Sequence, residues 1–261
     1  DALIIESTYG NREHTADAIS DNELRDIINR TCKRGGKVII PAFAVGRTQE
    51  LVYRIHRLVD KGEISVNLPI YVDSPLAISA TSIHRLHPEA YDDEIAQFVL
   101  EDRHGDPFGF DRMIYTRAVE QSKALNLMEE PAVIISASGM CEAGRILHHL
   151  IHNVEDRRNT ILIVGWQAPN TLGRRIVERQ KTLRILGDEY TLRAEVQTIN
   201  GFSGHADRGE LLNWVDHFEE KPKHTYIVHG EEDASMSFAD ALRQRGLTDV
   251  NVPEIGQRFN L

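Results

Sequence analysis

The stretch Lys37–Asp60, KVIIPAFAVGRTQELVYRIHRLVD, changes its hydrophobic period at Gly46. Before that glycine the residues are almost all apolar, without alternation, as in a strand buried on both faces. After it, Leu51, Ile55, Leu58 and Val59 recur at helical spacing and form one apolar stripe. A strand buried on both sides that runs into an amphipathic helix is the repeating piece of a parallel sheet. Similar strands are predicted at ALIIE (2–6), PIYVDS (69–74), RMIYT (112–116), AVIISAS (132–138), TILIVGW (160–166) and TYIVHG (225–230). Helices are predicted over 17–34, 46–60, 88–101, 117–127, 142–152, 171–179 and 207–219. The alternation predicts an α/β fold, a mainly parallel sheet flanked by helices.

Two segments depart from this rhythm. KTLRILGDEYTLRAEVQTI (181–199) reads as two strands joined by a turn around Gly187–Asp188, an antiparallel hairpin, and places a boundary near residue 200. DRHGDPFGF (102–110) is polar and turn-rich and reads as a surface loop.

Composition narrows the function. The chain has 261 residues, 41% hydrophobic and 27% charged, as in ordinary globular proteins. Its longest apolar runs are too short to span a bilayer, so no membrane partner is expected. The opening DALIIESTYG carries neither a basic region nor a cleavage signature, so no signal peptide is expected there. Cys32 and Cys141 sit in unlike contexts and read as reduced thiols of a cytoplasmic protein. A net charge of −10 argues against a general polyanion binder, while local basic clusters can still hold a phosphate backbone in a groove.

Parallel sheets gather ligands beyond the carboxyl ends of their strands. Here those ends carry Glu6 with Ser7 and Thr8, Gly46 with Arg47, Asp73 with Ser74, and Ser136 with Ser138 and Gly139. Small residues at such ends admit an anion to backbone N–H groups and helix starts. Arg47 and Arg145, each just after a glycine, are candidate phosphate clamps. Ordinary helix caps and solvated helix faces are the alternative for each of them. His148 and His152 lie one helical turn apart but lack an intervening acid–base residue. His229 ends a strand, where it is either a metal ligand or structural. His205, in GFSGHAD (201–207), is either a chemical residue or the polar entrance of a helix capped by Asp207.

Taken in order, LIIESTYG, PAFAVGRTQEL, YVDSPLA, SASGMCEAGRILHHL, GFSGHAD and VHGEE closely resemble the β-CASP metallo-β-lactamase family of RNA-processing nucleases. The resemblance runs over nearly the whole chain. It implies β-CASP residues 9–200, preceded at 1–8 by the end of a metallo-β-lactamase strand. Residues 201–261 would be the returning segment of that αββα domain. It also implies two zinc ions in the complete enzyme, single-stranded RNA as substrate and a homodimer. Glu6 matches an acidic motif whose carboxylate holds the ring of His205, a phosphate-facing general acid. His229 matches a zinc ligand, and Ser203, Ser138 and Gly139 match motifs that approach substrate phosphates.

The HxHxDH run that supplies most zinc ligands in relatives does not occur in this sequence. The resemblance therefore implies the C-terminal part of a larger enzyme. A DNA-repair β-CASP nuclease, which usually carries valine at the position of His229, is one alternative. A catalytically inactive RNA-binding scaffold is another. An NAD-type oxidoreductase is excluded, because no GxGxxG follows the first strand. On this reading the isolated 261-residue chain binds zinc weakly and leaves RNA intact. Zinc titration and a cleavage assay on the purified chain check this; RNA cleavage lost on His229→Ala is the contrary result.

Overall fold

The computed structural model describes residues 1–259. It forms two compact units, one made of Asp1–Thr15 with the segment from Ser203 onward, the other of Ala16–Phe202. The chain opens with β1 (Ala2–Glu6) and enters the second unit through α1 (Asp17–Lys33), β2 (Val38–Pro41), α2 (Arg47–Asp60), β3 (Ile70–Val72) and α3 (Pro75–Leu86). A 3-10 turn at Pro88–Ala90 leads to α4 (Asp93–Glu101), β4 (Met113–Tyr115), α5 (Val119–Leu127) and β5 (Val133–Ser136). Then come α6 (Arg145–Asn153), β6 (Thr160–Val164), α7 (Leu172–Val177), β7 (Thr182–Ile185), β8 (Asp188–Thr191) and β9 (Glu195–Ile199). The returning segment carries α8 (Arg208–Asp216), β10 (His224–Val228), α9 (Glu232–Gln244) and β11 (Val250–Asn251).

The second unit is built on a six-stranded parallel sheet in the order β4-β3-β5-β2-β6-β9. Successive strand residues point to opposite faces, and here both faces are covered. Val38, Ile40, Val133 and Ile135 pack with Leu24 and Ile28 of α1 and with Leu51 and Ile55 of α2. Ile39, Ile134, Ile161 and Ile163 pack on the other side with Leu147 and Leu150 of α6 and Ile176 of α7. That double burial explains the unbroken apolar runs.

The first unit has a three-stranded parallel sheet in the order β1-β10-β11. Leu3, Ile5 and Ile227 meet Leu211 and Leu212 of α8 and Phe238 and Leu242 of α9. Within β1 only alternate residues are buried, and Ile4 is exposed.

Several sequence expectations need correction. Helix α3 was missed because SPLA reads as a strand end; its Ser74–Pro75 pair is in fact an N-cap followed by proline in the first turn. Helix α9 was missed because it buries mostly small residues, Ala234, Ser235, Ala239 and Ala241, which weaken the apolar stripe. The predicted helix 88–101 is split by its acidic cap Asp92, so that only Asp93–Glu101 is α-helical. The hairpin closes through Leu186–Gly187, both at positive φ, the backbone that a tight two-residue turn requires. Glu195–Ile199 leaves it and joins β6 in parallel. The 102–110 loop is not wholly a surface feature, since Phe108 is buried in the core.

Both cysteines are unpaired, and burial pushes the Cys32 thiol up to about 11. Among the described residues no helix is long and apolar enough to cross a membrane. Because Ile55 is fully buried, Ile55→Ala is expected to cost about 2–5 kcal/mol in urea unfolding. The exposed Ile83→Ala is expected to stay within about 0.5 kcal/mol. Equal losses for the two variants would contradict this placement of the core.

Candidate functional site

Parallel pairing sets Glu6 opposite Val228, so β1 and β10 end side by side. The residues that follow each strand therefore emerge together. Ser7 donates a hydrogen bond to the Val228 carbonyl at 3.1 Å, and its hydroxyl lies 2.9 Å from that of Ser235. A Cβ on Gly230 would sit 2.3 Å from Ser7 Oγ, so this crossing admits only glycine. Immediately before it, His229 takes the left-handed region at φ 54°, which is uncommon for a residue other than glycine and recurs at functional sites.

The loop Ser203–Ala206 completes the cluster. The Asp207 carboxylate accepts from the Glu210 N–H, the Glu210 carboxylate from the Asp207 N–H, and a bridge ties Asp207 to Tyr9. His205 is thus both the entrance to a capped helix and part of a polar site. Its backbone N–H donates to Ser203 Oγ at 3.2 Å, and its Nδ1 lies 2.7 Å from Glu6 Oε2. A carboxylate only accepts, so Nδ1 carries the proton and Nε2 is left for other partners.

The His205 and His229 rings stack with centroids 5.1 Å apart. The hydroxyl of Thr8 lies 2.7 Å from Glu6 Oε2, 3.1 Å from His229 Nδ1 and 3.4 Å from His205 Nδ1. Thr8 was not among the residues predicted for the site, although its place two positions after Glu6 was a usable signal. The cluster borders a cleft of about 600 Å³ whose wall includes Ile4, Ser203, His205 and the exposed Trp214.

Glu6, His205 and His229 offer one carboxylate oxygen and two imidazole nitrogens within 4.8 Å of one another. Zinc accepts these donor types. Within that set Glu6 Oε2 is already bonded to His205 Nδ1.

The other candidates, Arg47, Ser74, Ser138, Gly139 and Arg145, all lie in the second unit. Ser74 is buried and caps α3, accepting from the Ala77 N–H. Arg47 pairs with Glu50. Arg145 donates to Asp73 Oδ1 at 2.7 Å and to the carbonyls of Thr116 and Arg117. The guanidiniums of Arg47 and Arg145 are thus engaged within the protein. Gly139 is buried under Phe43, whose ring would lie 3.0 Å from an added Cβ. Ser138 Oγ accepts from the Glu142 N–H.

Sequence reading saw Asp73 only as a strand-end acid. The structure makes it the centre of a buried network with His149 (2.7 Å), Thr116 (2.6 Å), Ser122 and Arg145. Burial alone would raise its carboxyl. The hydrogen bonds from His149, Ser122, Thr116 and Arg145 outweigh burial and hold it well below the usual carboxylate range.

The sequence model of the Beta-Casp domain matches residues 48–176. That of the Zn-dependent metallo-hydrolase RNA specificity domain matches residues 189–253. Ribonuclease TTHA0252 of Thermus thermophilus is 37% identical over 257 residues, which cover 98% of this chain and 57% of the relative. The transcription termination factor FttA of Methanocaldococcus jannaschii is 34% identical over 261 residues, 97% of this chain and 40% of the relative. FttA of Methanosarcina mazei is 32% identical over 252 residues, 94% and 39% respectively. The chain thus spans 39% to 57% of the length of these relatives.

The Asp73 network yields a pH test. A carboxyl whose folded pKa is depressed adds stability above its unfolded pKa of about 3.9, and that stability fades as pH falls toward the folded value. Asp73→Asn should therefore cost about 3–5 kcal/mol near neutrality, and progressively less below about pH 4. Urea unfolding at a series of pH values checks this; a pH-independent difference would contradict it.

Proposed function

This chain belongs to the β-CASP family of metallo-hydrolases, and we propose that it forms part of a zinc-dependent RNA-processing nuclease. The observation that carries the reading is the 2.7 Å contact of Glu6 with His205 Nδ1, beside His229, at the paired ends of β1 and β10. It supports roles that differ by side chain. Glu6 holds the His205 ring through Nδ1, with Nε2 turned away from the carboxylate. His229 supplies a zinc ligand. Ser203 holds the backbone of the loop that carries His205.

The reaction proposed is hydrolysis of a phosphodiester. When bound, zinc supplies Lewis acidity toward the phosphate and activates water for attack. A new P–O bond to the oxygen of that water forms as the bond to the leaving oxygen breaks, and the water's proton passes to solvent, from which His205 is later reprotonated. His205 Nε2–H gives its proton to the leaving oxygen. The Glu6 carboxylate keeps the ring from rotating while the proton moves. RNA is favoured over DNA by the RNA-specificity domain that matches residues 189–253 and by the ribonuclease among the relatives.

The roles separate in the intact parent enzyme. His205→Ala should lower RNA turnover by about 10²–10⁴-fold, with zinc content unchanged. His229→Ala should lower zinc content together with activity. Elemental analysis beside a single-turnover cleavage assay measures both. Zinc lost in the His205 variant would make His205 a ligand instead, and unaltered cleavage in both variants would exclude this site.

A further inference from the structure

A second constellation of metal-ligating groups lies in the Ala16–Phe202 unit, away from Glu6, His205 and His229 in sequence and in unit. His56 and Asp60 sit one turn apart on α2, so their side chains leave the same helix face. Asp102 follows the last residue of α4. His56 Nε2 lies 3.4 Å from Asp102 Oδ1 and 3.6 Å from Asp60 Oδ2. The side chains of His56 and Asp102 are 0% and 1% exposed.

Neither His56 Nε2 nor Asp102 Oδ1 has a hydrogen-bond partner among the described residues. Orphaned buried polar atoms of this kind cost about 1–3 kcal/mol each, and two of them facing one another call for an occupant. The other ring nitrogen shows which occupant fits. Nδ1 faces the Pro107 carbonyl oxygen at 3.4 Å, and a carbonyl only accepts, so the ring proton belongs on Nδ1. Nε2 then faces two carboxylates, an arrangement that calls for positive charge between them, which a bound cation supplies and a second ring proton would otherwise have to.

The spacing agrees. Two ligands bonded to zinc at about 2.0–2.1 Å, with an angle of about 109°, are about 3.3 Å apart. The observed 3.4 and 3.6 Å match that edge and exceed the usual N–H···O range. The surroundings also match a metal-bound histidine. Its second nitrogen is oriented by a backbone carbonyl. Its ring is held by Phe110, stacked at 4.8 Å, and by Phe98, edge-on at 5.0 Å. The other oxygen of Asp102 accepts the His104 N–H at 2.9 Å, which leaves Oδ1 directed at the site. Asp60 and Asp102 line an open cleft of about 470 Å³, a path for a cation and a source of water for a fourth position.

We propose that His56, Asp60 and Asp102 form a second divalent-metal site, suited to zinc, which clasps the C-terminal turn of α2 to the loop that follows α4. The juxtaposed orphan atoms and the ligand spacing carry the assignment, which does not depend on the nuclease reading above.

The test uses the full chain carrying His229→Ala, to weaken the Glu6–His205–His229 cluster, stripped of metal with a chelator. Cobalt(II) should then bind with the visible absorption of a four-coordinate ion, and zinc should raise the thermal unfolding midpoint by several degrees. Adding Asp60→Asn should abolish both responses, and because Asp60 is 35% exposed this change spares the core. No response to either metal in the His229→Ala protein would overturn the proposal whatever the second variant does. Equal responses with and without Asp60→Asn would overturn it too.

Discussion

One parallel strand pair organises the candidate site. In the register of β1 and β10, Glu6 faces Val228, although the two residues lie at opposite ends of the chain. The polar groups at the ends of these two strands follow from that register. The carboxylate stops where the histidine strand stops, Ser7 bonds across to Val228, and Thr8 reaches both imidazoles. A slip of one residue would turn Glu6 to the other face of the sheet, because side-chain direction alternates along a strand. Gly230 protects this register, since any side chain there would collide with Ser7.

The second unit applies the same geometry at larger scale and for another purpose. Its sheet is covered on both faces, so the polar groups at its strand ends must satisfy one another. Asp73 does this by gathering His149, Arg145, Thr116 and Ser122. The cost of burying the carboxylate is offset by those four partners, and α5 and α6 are tied to the end of β3 as a result. An arginine at a helix start after glycine thus has two possible uses. Here Arg145 serves the interior, and Arg47 is held by its own helix through Glu50.

The legibility of this protein was uneven for physical reasons. Strands β2, β5 and β6 were readable because double burial leaves no room for polar residues and produces continuous apolar runs. Helix α2 was readable from a wide apolar stripe. Helices α3 and α9 were not, because alanines and serines against a core carry little periodic signal. The fate of Glu195–Ile199 was hidden as well: strand propensity is local, but the choice between a hairpin partner and β6 is made by the sheet. At the site, Glu6, His205 and His229 are named from motif order and Thr8 stands only as a strand-end neighbour of Glu6, while the contacts of Thr8 with both imidazoles and the buried surroundings of Asp73 appear only in the fold.

By itself the sequence determined the fold class, the ordered motifs and the family they belong to, because these rest on local periodicity and on residues that no packing can exchange. Tertiary structure decided which polar side chains meet. It set the 2.7 Å distance of the Glu6–His205 pair that the resemblance implies, turned Arg145 inward to Asp73, and set His56 beside two aspartates distant from each other in sequence. The reason is the same in each case. A hydrogen bond or a shared cation is a matter of a few tenths of an ångström between groups brought together by a fold, and neighbours in sequence carry no record of that distance.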